Sequence, residues 1–450
     1  MDNRSTNVRR WLAALVITVL VLILGVAGLA PSGSSAEQAG SKAHRRASGF
    51  LAAGARFSCA ILADGRVRCW GYGGFGQLGY ASTNAIGDNE TPGSAGPVDL
   101  GAGRKARAIA AGFYHACALL DQGQVRCWGY GGNGQLGYGN TKDIGDDEIP
   151  ASVGPVKLGR KAVAITAGGR HTCALLDNGK VRCWGSNYSG ELGYGKKKTI
   201  GDDEIPASVR PVKLGRKAVA ITAGGGYHTC AILDNGKVRC WGDGSSGQLG
   251  YGNTKDIGDN ETPASVRPVK LGGGRKAVAI SGGYKHTCAL LDNGKVRCWG
   301  LASSGQLGYG NTKRIGDDET PASVHPVKLR RKAIAISAAG RHNCAVLSNQ
   351  KVRCWGTGRY GQLGYGDTND IGDNETPGSV RPVKLGARRK AVAIQAGGRH
   401  TFALLDNGKV RCWGLASTGQ LGYANTRNIG DDEKPASAGP VSLGGKVATR

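Results

Sequence analysis

From residue 48 onward, short apolar stretches alternate with Gly-rich and charged punctuation, and the whole pattern repeats. One unit runs KAVAITAGGRHTCALLDNGKVRCWG from Lys161, then a few variable residues, ELGYGKKKTIGDDEIPASV and finally RPVKLG. Small, β-branched and aromatic residues alternate within it, and no apolar run is long enough for an ordinary helix. Four short strands are predicted for a unit: Pro211–Leu214, Ala218–Ile221, Thr229–Leu233 and Lys237–Trp241.

The dipeptide Cys-Trp marks the repeat at Cys69, Cys127, Cys183, Cys240, Cys298, Cys354 and Cys412, spaced by 56 to 58 residues. A fixed period of that size is the signature of one supersecondary unit in an array. Seven four-stranded units arranged radially give an all-β, seven-bladed β-propeller, which removes long exposed sheet edges by closing on itself. The rungs of a β-helix are much shorter than this period. The chain ends are expected to close the ring, with Phe50-Leu51-Ala52 as second strand and Pro440-Val441-Ser442-Leu443 as first strand of a shared blade.

The N-terminus breaks the pattern. Arg4, Arg9 and Arg10 precede an uncharged run from Trp11 to Ala30, followed by small polar residues. That run is long enough to span a bilayer, while Ser34 and Ala36 suit a signal-peptidase site. Residues 1–36 are therefore expected to be one N-terminal hydrophobic helix, either a cleaved signal peptide or a transmembrane anchor, with 37–47 a flexible tether and 48–450 the propeller. In both cases the propeller is extracytoplasmic, secreted or anchored.

Composition agrees with a globular, turn-rich domain: 77 glycines in 450 residues, without a collagen-like period, and 15 prolines. The formal charge is +26.

The text A-G-x-x-H-T-C-A-L-L-D-N-G-K-V-R-C-W-G followed by G-Q-L-G-Y-G resembles the regulator of chromosome condensation repeat, in the form found in exported bacterial proteins. The resemblance covers about residues 48 to 443. It implies a seven-bladed propeller and a protein-binding role. The founding member of that family is a chromatin-bound nucleotide-exchange factor, and a secreted relative inhibits β-lactamases; no motif here fixes either activity.

Twelve cysteines form pairs ten residues apart: Cys59/Cys69, Cys117/Cys127, Cys173/Cys183, Cys230/Cys240, Cys288/Cys298 and Cys344/Cys354. Most flank a D-x-G turn. A three-residue loop with a Gly bulge makes Cys173 and Cys183 direct cross-strand partners, whereas a two-residue loop puts them on opposite faces. Export to an oxidising compartment selects the first register and six disulfides. The sixth pair is the weakest, because Gln350 stands where the other turns have Gly. Phe402 replaces the first cysteine of the last unit and leaves Cys412 a buried free thiol. A zinc site is not expected, because the His that most units place two residues before the first Cys gives only three soft ligands, and blade one has Phe57 there.

Four G-x-G-x-x-G matches, as at Gly71–Gly76, lack the helix that a dinucleotide site needs and read as turn glycines. Acidic runs such as Asp143, Asp146, Asp147 and Glu148 recur in an I-G-D-D/N-E core but fit no calcium-loop spacing. They read as solvated loops. No catalytic set stands apart from the repeat, so no enzyme, cofactor, metal or small-molecule substrate is inferred.

Strand direction sorts the connections onto two rims. The long loops and their acidic runs gather on one, while Arg160, Lys161, Arg216, Lys217, Arg275, Lys276, Arg331, Lys332 and their equivalents make the other basic. A protein partner is expected on the long-loop rim, at the four variable positions after Trp-Gly, where Tyr72, Phe75, Tyr130, Tyr188 and Tyr360 supply aromatic anchors. The alternative ligand is an anionic envelope polymer or membrane surface on the basic rim.

Overall fold

The computed structural model describes residues 49–449, so the expected N-terminal helix and tether lie outside the described residues. Seven antiparallel sheets of three strands follow one another along the chain. In blade three these are Ala162–Ala167, His171–Leu176 and Val181–Gly185, an inner, a middle and an outer strand. Inner strands of successive blades touch one another, and that of blade seven touches that of blade one. They enclose a cavity of about 930 Å³. Three-residue 3-10 turns such as Pro150–Ser152 are the only helical elements among the described residues.

The hairpin register is the three-residue one. Leu175 pairs with Val181 and Cys173 with Cys183. Leu176 and Lys180 close the loop by a backbone bond of 2.8 Å, and Gly179 takes the left-handed φ of +78° that the bulge requires. All six cysteine pairs sit at disulfide distance, with S–S from 2.04 to 2.12 Å, and Cys412 is free and buried. Phe402 fills the place of the missing partner, opposite Cys412 in the register.

The predicted fourth strand is corrected by the structure. Pro211–Leu214 is not a regular strand and does not begin its own blade. The Val212 N–H donates to the Val181 carbonyl at 2.9 Å, so the segment lies along the outer edge of the preceding blade. Pro211 has no N–H to give and the segment is short, so a single bond replaces a ladder. The assignment of the chain ends shifts in the same way. Val441 donates to Val410 in blade seven, so Pro440–Leu443 is not part of blade one. Instead Leu62 bridges Val447, and Ala448 donates to Ile61 while Ile61 donates to Phe50. Residues from both ends thus bond to the same middle strand.

Each blade is locked to the next by its buried tryptophan and histidine. The Trp128 indole donates to the Gln77 carbonyl of the preceding blade at 3.0 Å, and Trp70 of blade one makes the same bond to Gln420 of blade seven. His171 Nε2 meets Thr229 Oγ1 of the next blade at 2.8 Å, and that hydroxyl donates to the Glu191 carbonyl. The series continues as His115–Thr172, His228–Thr287, His286–Asn343, His342–Thr401 and His400–Ser58. At the seventh junction both partners are apolar, Phe57 and Ala116. A Cβ on Gly112 would sit 2.3 Å from His115 Cε1, and one on Gly54 would sit 2.2 Å from Phe57 Cε1, so the two rings occupy equivalent slots. Burial holds the six imidazoles at about 3 to 4, below the ordinary histidine range, so they are neutral.

Candidate partner-binding rim

The end of each outer strand fixes one rim. Gly71 exchanges backbone bonds with Ile86, and Gly129 with Ile144, so the variable residues after Trp-Gly project from this end. The turn between inner and middle strands lies beside them, because Tyr72 N–H donates to the Arg56 carbonyl and Tyr130 N–H to the Tyr114 carbonyl. Beyond the Gly–Ile pair the long connection turns down the outer edge. There Arg182 holds it by donating to the carbonyls of Pro206, at 2.6 Å, and Val209. The arginine of V-R-C-W is thus a clasp for the P-A-S-V turn, a role its repetition alone did not disclose.

Three of the five expected anchors come together. The Phe75 ring lies 6.1 Å from Tyr72 and 5.2 Å from Tyr130, and 5.1 Å from Tyr114. Tyr114 leads to Phe113 at 6.3 Å, and Phe113 stacks on Tyr284 of blade five at 6.4 Å, beside the central cavity. Sequence reasoning missed Phe113, Tyr114 and Tyr284. They occupy the x-x of A-G-x-x-H, a second variable pair whose scatter between the copies was the available signal. Tyr188 stands apart and is 66% exposed. Tyr360 is separate too, with the guanidinium groups of Arg399 and Arg359 at 5.0 and 5.7 Å from its ring centre.

The acidic runs sit at the periphery of the same end, directly after the isoleucine that bonds the outer strand. In four blades the three acidic side chains approach within 4.8 Å of one another, as in Asp146, Asp147 and Glu148. Partial burial and the neighbouring carboxylates raise Glu148 and Glu433 to about 7. In blade three Lys198 answers this crowding, 3.5 Å from Glu204 and 3.6 Å from Asp203.

At the opposite rim the basic residues are partly neutralised. Arg160 pairs with Asp177 at 2.7 Å and Arg216 with Asp234 at 2.6 Å, with looser equivalents at Arg275–Asp292 and Arg389–Asp406. Blade six has Ser348 at that turn position, so Arg331 lacks this carboxylate. The stems of Lys161 and Lys217 lie against Gly123 and Gly179 of the preceding blade, which fixes their placement at the hairpin turns.

Comparison with known proteins agrees with this architecture. The chain belongs to the RCC1-like domain family, whose model matches residues 32–392, and a regulator of chromosome condensation (RCC1) repeat matches residues 391–420. It is similar to the ultraviolet-B receptor UVR8 of Arabidopsis thaliana, 31% identical over 381 residues, covering 84% of this chain and 79% of the receptor. The mitochondrial RCC1 domain-containing protein RUG3 of the same plant is 29% identical over 358 residues, covering 78% and 74%. Among solved structures, Prp20p of Saccharomyces cerevisiae superposes with a TM-score of 0.64 at 20% identity, covering 89% of each chain; it is described with binding to Gsp1p and histones. Such a likeness establishes the β-propeller fold. Among the described residues, no helix is long and apolar enough to cross a membrane.

Proposed function

We propose that this chain is an extracytoplasmic, non-enzymatic protein-interaction propeller, closed through blade one by both chain ends, and that it binds a partner on its long-loop rim. The observation that carries the proposal is the aromatic cluster of Tyr72, Phe75, Tyr114 and Tyr130, which is half-buried and spans two blades at the residues that differ between repeats. Rigid aromatics of this kind supply contact area at low entropic cost. The paired cysteines support an oxidising compartment. Described binding of Prp20p to proteins is consistent with a propeller used as an interaction surface.

The test is the affinity of a partner isolated from the native envelope. Tyr72→Ala with Tyr130→Ala weakens it by at least about tenfold, roughly 1.4 kcal/mol, while fold and disulfides persist. Adding Tyr188→Ala extends the loss if the footprint reaches blade three. Unchanged affinity in the folded double variant moves the site elsewhere. The polyanion alternative on the basic rim is weakened by its Arg–Asp pairs, and predicts binding that falls steeply with salt.

A further inference from the structure

We infer that the inner ring of the long-loop rim is a receptor for an acidic protein loop carrying an aromatic or apolar tip; this rests on the reading of that rim as the partner face. The turns between inner and middle strands surround the mouth of the central cavity. Four of them carry an exposed arginine, Arg56, Arg170, Arg341 and Arg399, the last with its guanidinium over the Tyr360 ring. None of these arginines joins an ion pair among the described residues. Their opposite numbers on the other rim are largely paired. Blade five shows what such a cation takes when an acid is at hand, since Lys285 lies 3.6 Å from Asp243.

The three remaining turns carry aromatic residues, Phe113 and Tyr114 in blade two, Tyr227 in blade four and Tyr284 in blade five. The platform is rigid, because the turns bond to one another across blades. Phe113 N–H donates to Gly169 O, Tyr284 N–H to Gly340 O and Gly398 N–H to Gly54 O, at 3.3, 2.8 and 3.0 Å. Phe113 also lies over the glycines of blades three and four, where a Cβ on Gly169 or Gly225 would sit about 3 Å from its ring. An aromatic floor is therefore ringed by unpaired positive charge, the arrangement that suits carboxylates flanking an apolar side chain.

Concentric charge selects among anionic partners. The periphery of the same face carries the acidic triads of blades two, five and seven, while Lys198 offsets that of blade three. A uniform polyanion such as single-stranded nucleic acid or a phosphate polymer would have to cross that acidic border in both directions. A loop with its negative charge confined to the tip meets only the cationic centre. Aromatic stacking with basic residues would otherwise fit nucleic acid as well, so the border is the deciding feature.

The experiment uses the full chain and three fluorescent probes at 150 mM salt: a cyclic dodecapeptide with four acidic residues around a central phenylalanine, its counterpart with lysines replacing the acids, and a thymidine dodecamer. The acidic peptide binds at least tenfold tighter than either of the others. Arg56→Gln, Arg170→Gln and Arg341→Gln together weaken it at least tenfold, Phe113→Ala weakens it independently, and Lys180→Ala with Lys237→Ala on the opposite rim leaves it unchanged. Equal or tighter binding of the thymidine oligomer overturns the inference, as does undiminished peptide binding in the folded triple variant. A native partner that depends on Tyr72 and Tyr130 but not on the arginines would leave the partner rim standing and reject the acidic loop. Dependence on neither would reject both.

Discussion

The inter-blade histidines make stability steeply dependent on pH. His115, His171, His228, His286, His342 and His400 are fully buried, and burial depresses them to about 3 or 4. An unfolded chain protonates them near pH 6.5. Because the folded value lies below the unfolded one, their contribution is fully present above about pH 6.5 and is lost as pH falls toward 4. At pH 5 each imidazole favours the unfolded chain by roughly 2 kcal/mol, so six give on the order of 12 kcal/mol relative to pH 7.5. Glu148 and Glu433 act in the opposite sense, since their raised values let the folded state take up protons first. Both are partly exposed and offset only a fraction.

The natural Phe57/Ala116 junction supplies the control. His171→Phe with Thr229→Ala copies it, and Glu191 O keeps the Trp241 indole as donor at 2.9 Å. Stability at pH 7.5 should change little, while the slope between pH 6 and 4.5 should fall by one proton, about 1.4 kcal/mol per pH unit. Urea midpoints across that range, with disulfides intact, measure the slope. Equal slopes in parent and variant, or six imidazole resonances titrating near pH 6.5 in the folded protein, would refute the reasoning.

Three further outcomes follow from the same structure. Mass spectrometry of the protein isolated from its native source should find six disulfides within single hairpins and one thiol at Cys412, which burial keeps well above the ordinary thiol range and slow to react; thirteen free thiols would reject both the pairing and the proposed compartment. Gln350 adopts φ +61°, so Gln350→Gly should raise the unfolding free energy by up to about 1 kcal/mol, measured by denaturant titration. Arg182→Ala removes both donors from the Pro206 and Val209 carbonyls and should cost about 1.5 to 3 kcal/mol, with faster hydrogen exchange confined to the long connection of blade three.

Much of the fold was legible because its period is in the residues. Cys-Trp spacing counted the blades, and the ten-residue cysteine interval selected the hairpin loop that places Cys173 opposite Cys183. The outer edge was not legible, since Pro-Val-x-Leu has strand composition but only one bond, Val212 to Val181, decides which blade owns it. That bond is long-range, and residue pattern carries no direct sign of it. The histidine network was hidden for a different reason. His171 and Thr229 belong to different repeats, and only the joint replacement by Phe57 and Ala116 marks them as partners. On the rim, the variability of Tyr72, Phe75 and Tyr130 was visible, whereas their convergence with Phe113 and Tyr284 depends on ring geometry.

The central claim is that the partner sits on the long-loop rim, and site-specific photo-cross-linking tests it most directly. A benzophenone side chain at Tyr188, exposed at that rim, or at Lys180, in the turn at the opposite end, is activated in the native cell. The account predicts that the partner which depends on Tyr72 and Tyr130 is captured from position 188 and not from position 180. Capture of that partner from position 180 alone would contradict it.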